Sequence, residues 1–148
     1  MNKMTPTGRP GSTGTAPRHF LAPLFLFLAA SALQAQGYKD KYDYVTENED
    51  GYHVASIRKQ SGDLKYGFVD GNGREITPIM YDRAYGFTDD GLALVKSDDK
   101  TGFIDRTGKE VIPVQYDWAG TFSEGLAPVA IGDRYGFINT VGAVVIPL

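Results

Sequence analysis

One phrase is written three times in this chain, and that recurrence limits what the chain can fold into. "KYGFVDGNGREITPIMYD" occupies Lys65–Asp82, "KTGFIDRTGKEVIPVQYD" occupies Lys100–Asp117, and "RYGFINTVGAVVIPL" occupies Arg134–Leu148. Gly67, Gly102 and Gly136 are 35 and then 34 residues apart. In step with them run Phe68, Phe103 and Phe137, then Asp70, Asp105 and Asn139, then Gly73, Gly108 and Gly142, and last Pro78, Pro113 and Pro147. A second phrase fills the gaps: "YDRAYGFTDDGLALV" from Tyr81, "YDWAGTFSEGLAPV" from Tyr116, and a degenerate "YDYVTENEDGYHV" from Tyr42. A period of this size marks stacked supersecondary units that bury their apolar faces against neighbours. Three units fit, at residues 42–80, 81–115 and 116–148, after a short segment at 36–41.

Each unit reads as a linker followed by three strands. In the second unit these are Leu92–Lys96, Gly102–Asp105 and Lys109–Pro113, rich in aliphatic and aromatic residues and punctuated by Gly and Asp. No stretch beyond residue 35 holds a 3.6-residue apolar period, so helix is not expected there. The fold class is all-β, a tandem array of three-stranded antiparallel meanders. In the turns, Asp70, Asp105 or Asn139 accepts backbone N–H groups, and the glycine three places on takes positive φ. Proline gives no hydrogen bond to a ladder, which puts each third strand at a sheet edge. Glycine inside the second strand marks a bulge or a crowded crossing. Phe68, Phe103 and Phe137 are expected in the core. Ala84 with Phe87, and Ala119 with Phe122, close the gaps between units, and Asn48 replaces the Phe in the outermost linker.

The first 35 residues are different. They hold Lys3, Arg9 and Arg18 and no acids, and they end in the apolar run "LAPLFLFLAASAL" at Leu21–Leu33, followed by small residues. This is the pattern of a signal peptide, cleaved after Ala32 or Ala35, which leaves no integral membrane segment. The expected compartment is the periplasm, the cell surface or the exterior. Removing those three cations from the 15 basic residues leaves 12 against 18 acids, a balance of −6. No basic stripe remains for nucleic acid. The absence of cysteine excludes disulfides, thiolate catalysis and Cys-ligated zinc.

Little points to a reaction. Beyond the leader His53 is the only histidine, and no nucleophile-elbow pattern accompanies Ser56, Ser61, Ser97 or Ser123. His53 is expected to be exposed or half-buried on a strand. Asp89, Asp90, Asp98, Asp99 and Glu124 fall in linkers and hairpin tips, where carboxylates are ordinarily solvated. The recurring Asp70, Asp105, Asn139 and Asp43, Asp82, Asp117 offer stacked oxygens to calcium. Asn139 brings no charge, however, and favours a turn-capping role. No catalytic residue, metal ligand or cofactor is assigned.

Recognition is better served by positions that do not repeat. After each "YD" stand Tyr44, Arg83 and Trp118, and Tyr85 lies two places beyond Arg83. Large, dissimilar side chains at one register describe a surface stripe, and Tyr, Trp and Arg are the residues enriched in binding hot spots. Tyr44, Arg83, Tyr85 and Trp118 are therefore the candidate binding residues, for a protein or glycan partner.

The combination "K-x-G-F", "D/N-x-x-G", "I/V-x-P" and "YD-x-A-x-x-F" resembles the bacterial WG (KWG) β-repeat family over residues 42–148. The family's signature Trp is Tyr66, Thr101 and Tyr135 here. The resemblance implies β-rich repeats in an exported or surface-associated protein, and it brings no reaction. The function expected is that of a non-catalytic binding or scaffold module outside the cytoplasm. The alternative is a calcium-dependent or carboxylate-based hydrolytic factor.

Overall fold

The computed structural model describes residues 37–148. The expected leader at residues 1–35, with both of its cleavage sites, lies outside them. After a short 3-10 turn at Lys39–Lys41, eleven strands follow: β1 (Tyr44–Val45), β2 (Tyr52–Arg58), β3 (Leu64–Asp70), β4 (Arg83–Ala84), β5 (Leu92–Ser97), β6 (Lys100–Asp105), β7 (Glu110–Tyr116), β8 (Trp118–Ala119), β9 (Leu126–Ile131), β10 (Arg134–Asn139) and β11 (Val144–Ile146). They form three antiparallel sheets ordered β1-β2-β3, β4-β5-β6-β7 and β8-β9-β10-β11. Every neighbour in a sheet is also the neighbour in sequence, so the all-β meander expected from the repeat is what forms.

Two details differ from the three-stranded expectation. The "YD" linker is not merely a connection: its next two residues pair with the following strand, Tyr44 with Ser56, Arg83 with Lys96 and Trp118 with Ala130. The second and third sheets therefore have four strands. In the first sheet the last strand is reduced to isolated bridges, Val69 with Glu75 and Tyr66 with Tyr81. Thr77 is the cause. Its Oγ1 accepts the Phe68 N–H at 3.0 Å, taking a ladder position that a backbone carbonyl would otherwise fill.

The three copies of the turn are alike. Asp70 Oδ1 accepts from Asn72 and Arg74, Asp105 Oδ1 from Thr107 and Lys109, and Asn139 Oδ1 from Val141 and Ala143. Gly73, Gly108 and Gly142 take φ of 82°, 83° and 80°. The turn of each sheet rests on the element before it. A Cβ on Gly108 would meet Ile76 O at 2.5 Å, one on Gly142 would meet Ile112 Cγ1 at 3.2 Å, and one on Gly73 would meet the Tyr38 ring at 2.2 Å. Tyr38 thus stands in for the strand of a preceding sheet.

The strand glycines have a second role. A Cβ on Gly102 would lie 2.7 Å from both Ile112 O and Val114 N, and one on Gly136 would lie 2.5 Å from Ile146 O. The third strand crosses directly over the glycine, and the register shifts there, between Thr101 and Phe103. The crossing partner is backbone, and Pro113 sits in the bulged stretch of β7, on the outer edge of its sheet.

The cores lie between sheets. Val54 and Phe68 of the first sheet meet Ala93, Val95 and Ile104 of the second, with Ala84 and Phe87 beside them. Leu92, Leu94, Phe103 and Ile112 of the second meet Ala127, Val129 and Ile138 of the third, with Ala119 and Phe122. Each sheet thus turns larger side chains forward onto smaller ones. Phe87 packs on Phe68 at 5.1 Å between ring centroids, and Phe122 on Phe103 at 4.8 Å. Asn48, in the Phe position of the first linker, instead donates to Tyr52 O at 2.8 Å. Arg106 reaches back from the second sheet over the Tyr52 ring at 4.8 Å, over Phe87 at 5.5 Å and toward Asp50 at 3.5 Å. Tyr38, Tyr42, Val45 and Ile57 enclose Ala55, Val69 and Ile79 on the outer face of the first sheet.

Two expectations are corrected. His53 is buried, 8% exposed, with Nδ1 unpaired, because its place in β2 faces that first enclosed cluster. Phe137 is 37% exposed, because among the described residues no sheet stacks on the forward face of the third. Replacing Gly102 by Ala should lower unfolding free energy by about 3 kcal/mol, since backbone atoms block the methyl. Gly125→Ala, with φ of 80° and open space around it, should cost about 1 kcal/mol. Urea midpoints of the two variants check the difference.

Candidate binding cleft

The site is built from one cross-strand rung. Arg83 on β4 pairs with Lys96 on β5, which pairs with Thr101 on β6, so the three side chains share one face of the second sheet. Two places along each strand, Tyr85 and Leu94 occupy the same face, held by the Tyr85 N–H donating to Leu94 O at 3.0 Å. Asp117, Trp118, Ala119, Gly120 and Thr121, from β8 and its flanks, form the facing wall. The cleft measures about 410 Å³ and opens at the seam between the second and third sheets.

Three of the four candidate residues therefore converge: Arg83, Tyr85 and Trp118 all line this cleft. Tyr44 occupies the matching place in the first sheet, on a rung with Ser56 and Tyr66, and does not line it. Sequence reasoning missed Lys96, Thr101, Leu94 and Asp117. Hairpin register was the signal that pointed to the first two, because pairing the linker with the next strand sets Arg83 beside Lys96 and Thr101. Thr101 matters most. Its counterparts are Tyr66 and Tyr135, and the shorter side chain leaves open the space that a ring would occupy. Trp118 is half-exposed and meets Tyr135 edge to face at 6.4 Å.

The electrostatics set weakly partnered cations beside committed carboxylates. Arg83 is exposed, and Lys96 pairs only with the solvated Asp99, at 2.8 Å. Asp117 is engaged twice: one oxygen takes the Lys100 ammonium and the other accepts the Gly132 N–H at 2.7 Å. Asp82 repeats this one sheet earlier, with Lys65 and the Asp98 N–H at 2.8 Å. Among the described residues Asp43 accepts only the Arg58 N–H. The "K-x-G-F" lysine of one sheet thus ties to the "YD" aspartate of the next. The lysine and the N–H, in that order, hold the Asp82 and Asp117 carboxyls below the usual carboxylate range. Asp105 is lowered by its Thr107 hydroxyl and its turn N–H groups. Lys65 is raised by Asp82. Of the other carboxylates read from the sequence, one holds a backbone N–H across the seam and three lie in tight turns. Asp90 accepts the Gly125 N–H at 3.0 Å, and Asp98, Asp99 and Glu124 lie in turns at φ of 48°, 61° and 52°. Among the described residues no group of three or more His, Asp or Glu side chains is placed to hold a metal ion, and no helix is long and apolar enough to cross a membrane.

The meander sheets and their repeated turn define a β-repeat protein. The family model for the WG containing repeat matches the chain twice, at residues 66–100 and 102–135, and the chain belongs to that repeat family. Each matched stretch runs from the second long strand of one sheet into the hairpin of the next, so the family unit straddles a stacking seam. Neither the curated proteins nor the solved structures compared with the chain include a significant match.

The lowered carboxyls set the sign of the acid response. Their contribution to stability is complete above the unfolded carboxylate value of about 3.9 and is lost as pH falls through the lower folded values. The raised Lys65 contributes fully below about 10.4 and loses its share above. Melting temperature followed from pH 6 downward should begin to drop below about pH 4. Asp117→Asn should show a shallower acid limb, and an unchanged limb would remove Asp117 from the account.

Proposed function

We propose that this chain is an exported, non-catalytic binding module whose cleft takes a segment of an anionic glycan. A sugar face lies against Trp118 and Tyr85, and its carboxylate lies between Arg83 and Lys96. The observation that carries this reading is the convergence of two half-exposed rings and two cations on one cleft of about 410 Å³. That volume falls within the range of small-ligand sites. Cations whose partners are solvated keep most of their charge for a ligand. Export rests on the leader pattern of residues 1–35 and places the ligand in the periplasm, at the surface or outside. The hydrolytic or calcium-dependent alternative has less to draw on, because the recurring carboxylates already hold turns, hairpin tips and the sheet-to-sheet lysines.

Trp118 is the sole tryptophan, so its emission reports on the cleft directly. Titration with uronic-acid oligosaccharides should change that emission, and neutral oligosaccharides of the same length should change it far less. Arg83→Ala should weaken binding about tenfold, equivalent to 1.4 kcal/mol. Thr101→Tyr, which restores the ring found in the other two sheets, should fill the cleft and abolish binding while the far-ultraviolet spectrum is retained. Equal responses to charged and neutral sugars would refute the anionic reading, and an acidic peptide that alone shifts the emission would assign the cleft to a protein ligand.

A further inference from the structure

The forward face of the third sheet is built like an interior surface and left open. Leu92, Phe103 and Ile112 of the second sheet are 6%, 1% and 1% exposed beneath the third sheet. Their counterparts Leu126, Phe137 and Ile146 are 36%, 37% and 50% exposed. A repeat face that meets water is normally polar. This face has become less polar, because the positions of Arg83 and Lys96 are held by Trp118 and Ala130. The opposite end of the stack is closed, since Tyr38 and Tyr42 already cover Ala55, Val69 and Ile79.

We propose that the open face of the third sheet pairs with the same face of a second copy of this chain, giving a two-fold dimer with a continuous stack of six sheets. A two-fold interface sets each surface against itself, so cations on the face would oppose one another. Replacement of both by Trp118 and Ala130 removes that repulsion. Pro128 stands where the second sheet has Leu94, and it pairs with Phe137 as Leu94 pairs with Phe103. A head-to-tail arrangement would set Arg134, the counterpart of Lys65 and Lys100, against Asp43 of the next copy. The covered first sheet stands against it. Trp118 lies on this face and also lines the cleft, so the test here reads mass and not Trp118 emission.

Sedimentation equilibrium of the purified chain tests it. The expected result is a mass twice that of the monomer, with dissociation in the micromolar range. Ile146→Lys should weaken association at least a hundredfold and leave the strand spectrum intact, because Ile146 is half-exposed on an edge strand. Phe137→Lys should act in the same direction. Asp43→Asn should leave the dimer unchanged. A chain that stays monomeric at millimolar concentration would overturn the proposal, as would a dimer indifferent to Ile146→Lys. A concentration-dependent ladder of larger species that Asp43→Asn abolishes would overturn it in favour of head-to-tail growth.

Discussion

The structure depends on the stacking of one sheet's large forward side chains on the small rear side chains of the next. Phe68 and Val54 lie on Ala93, Val95 and Ile104, and Phe103, Leu94 and Ile112 lie on Ala127, Val129 and Ile138. A sheet of three or four short strands cannot bury enough apolar area alone, and each buried Phe or Leu contributes about 1.5–3 kcal/mol only when a second layer covers it. The other repeated features serve this contact. The strand glycine lets the third strand lie close over the second. The turn glycine lets each hairpin rest on its predecessor. The lysine-to-aspartate tie fixes the seam at its rim.

The cleft follows from the same arrangement. A seam between two sheets is lined by a forward face on one side and a linker strand on the other. What occupies its mouth depends on the rung shared by the linker, the first long strand and the second. In the second sheet that rung is Arg83, Lys96 and Thr101, so the mouth is open and cationic. In the third it is Trp118, Ala130 and Tyr135, so the surface is aromatic and uncharged. Variation confined to one rung changes the surface chemistry without disturbing the stack.

Much of this was legible in the residues. The period gave the meander. Asp70, Asp105 and Asn139 gave the turns, and Ala84, Phe87, Ala119 and Phe122 gave the seam filling. What escaped depended on partners that no local pattern names. The "YD" linker pairs as a strand because the following strand offers a free edge, which only the three-dimensional sheet reveals. Thr77 disrupts the first sheet's last strand through a side-chain hydrogen bond that composition does not mark. Phe137 repeats Phe68 and Phe103 in sequence, yet it differs from them in burial, since burial belongs to the following sheet and not to the residue. For the same reason Tyr44 resembled Arg83 and Trp118 in register and ended outside the cleft.

Native-state hydrogen exchange on Phe103→Ala tests the stacking account most directly. Loss of this ring should destabilise the fold by about 3–5 kcal/mol and reduce amide protection in β9 and β10 of the third sheet as much as in β5 and β6 of its own. Loss of protection confined to β5 and β6, with β9 and β10 unchanged, would show that the sheets are stable separately and would contradict it.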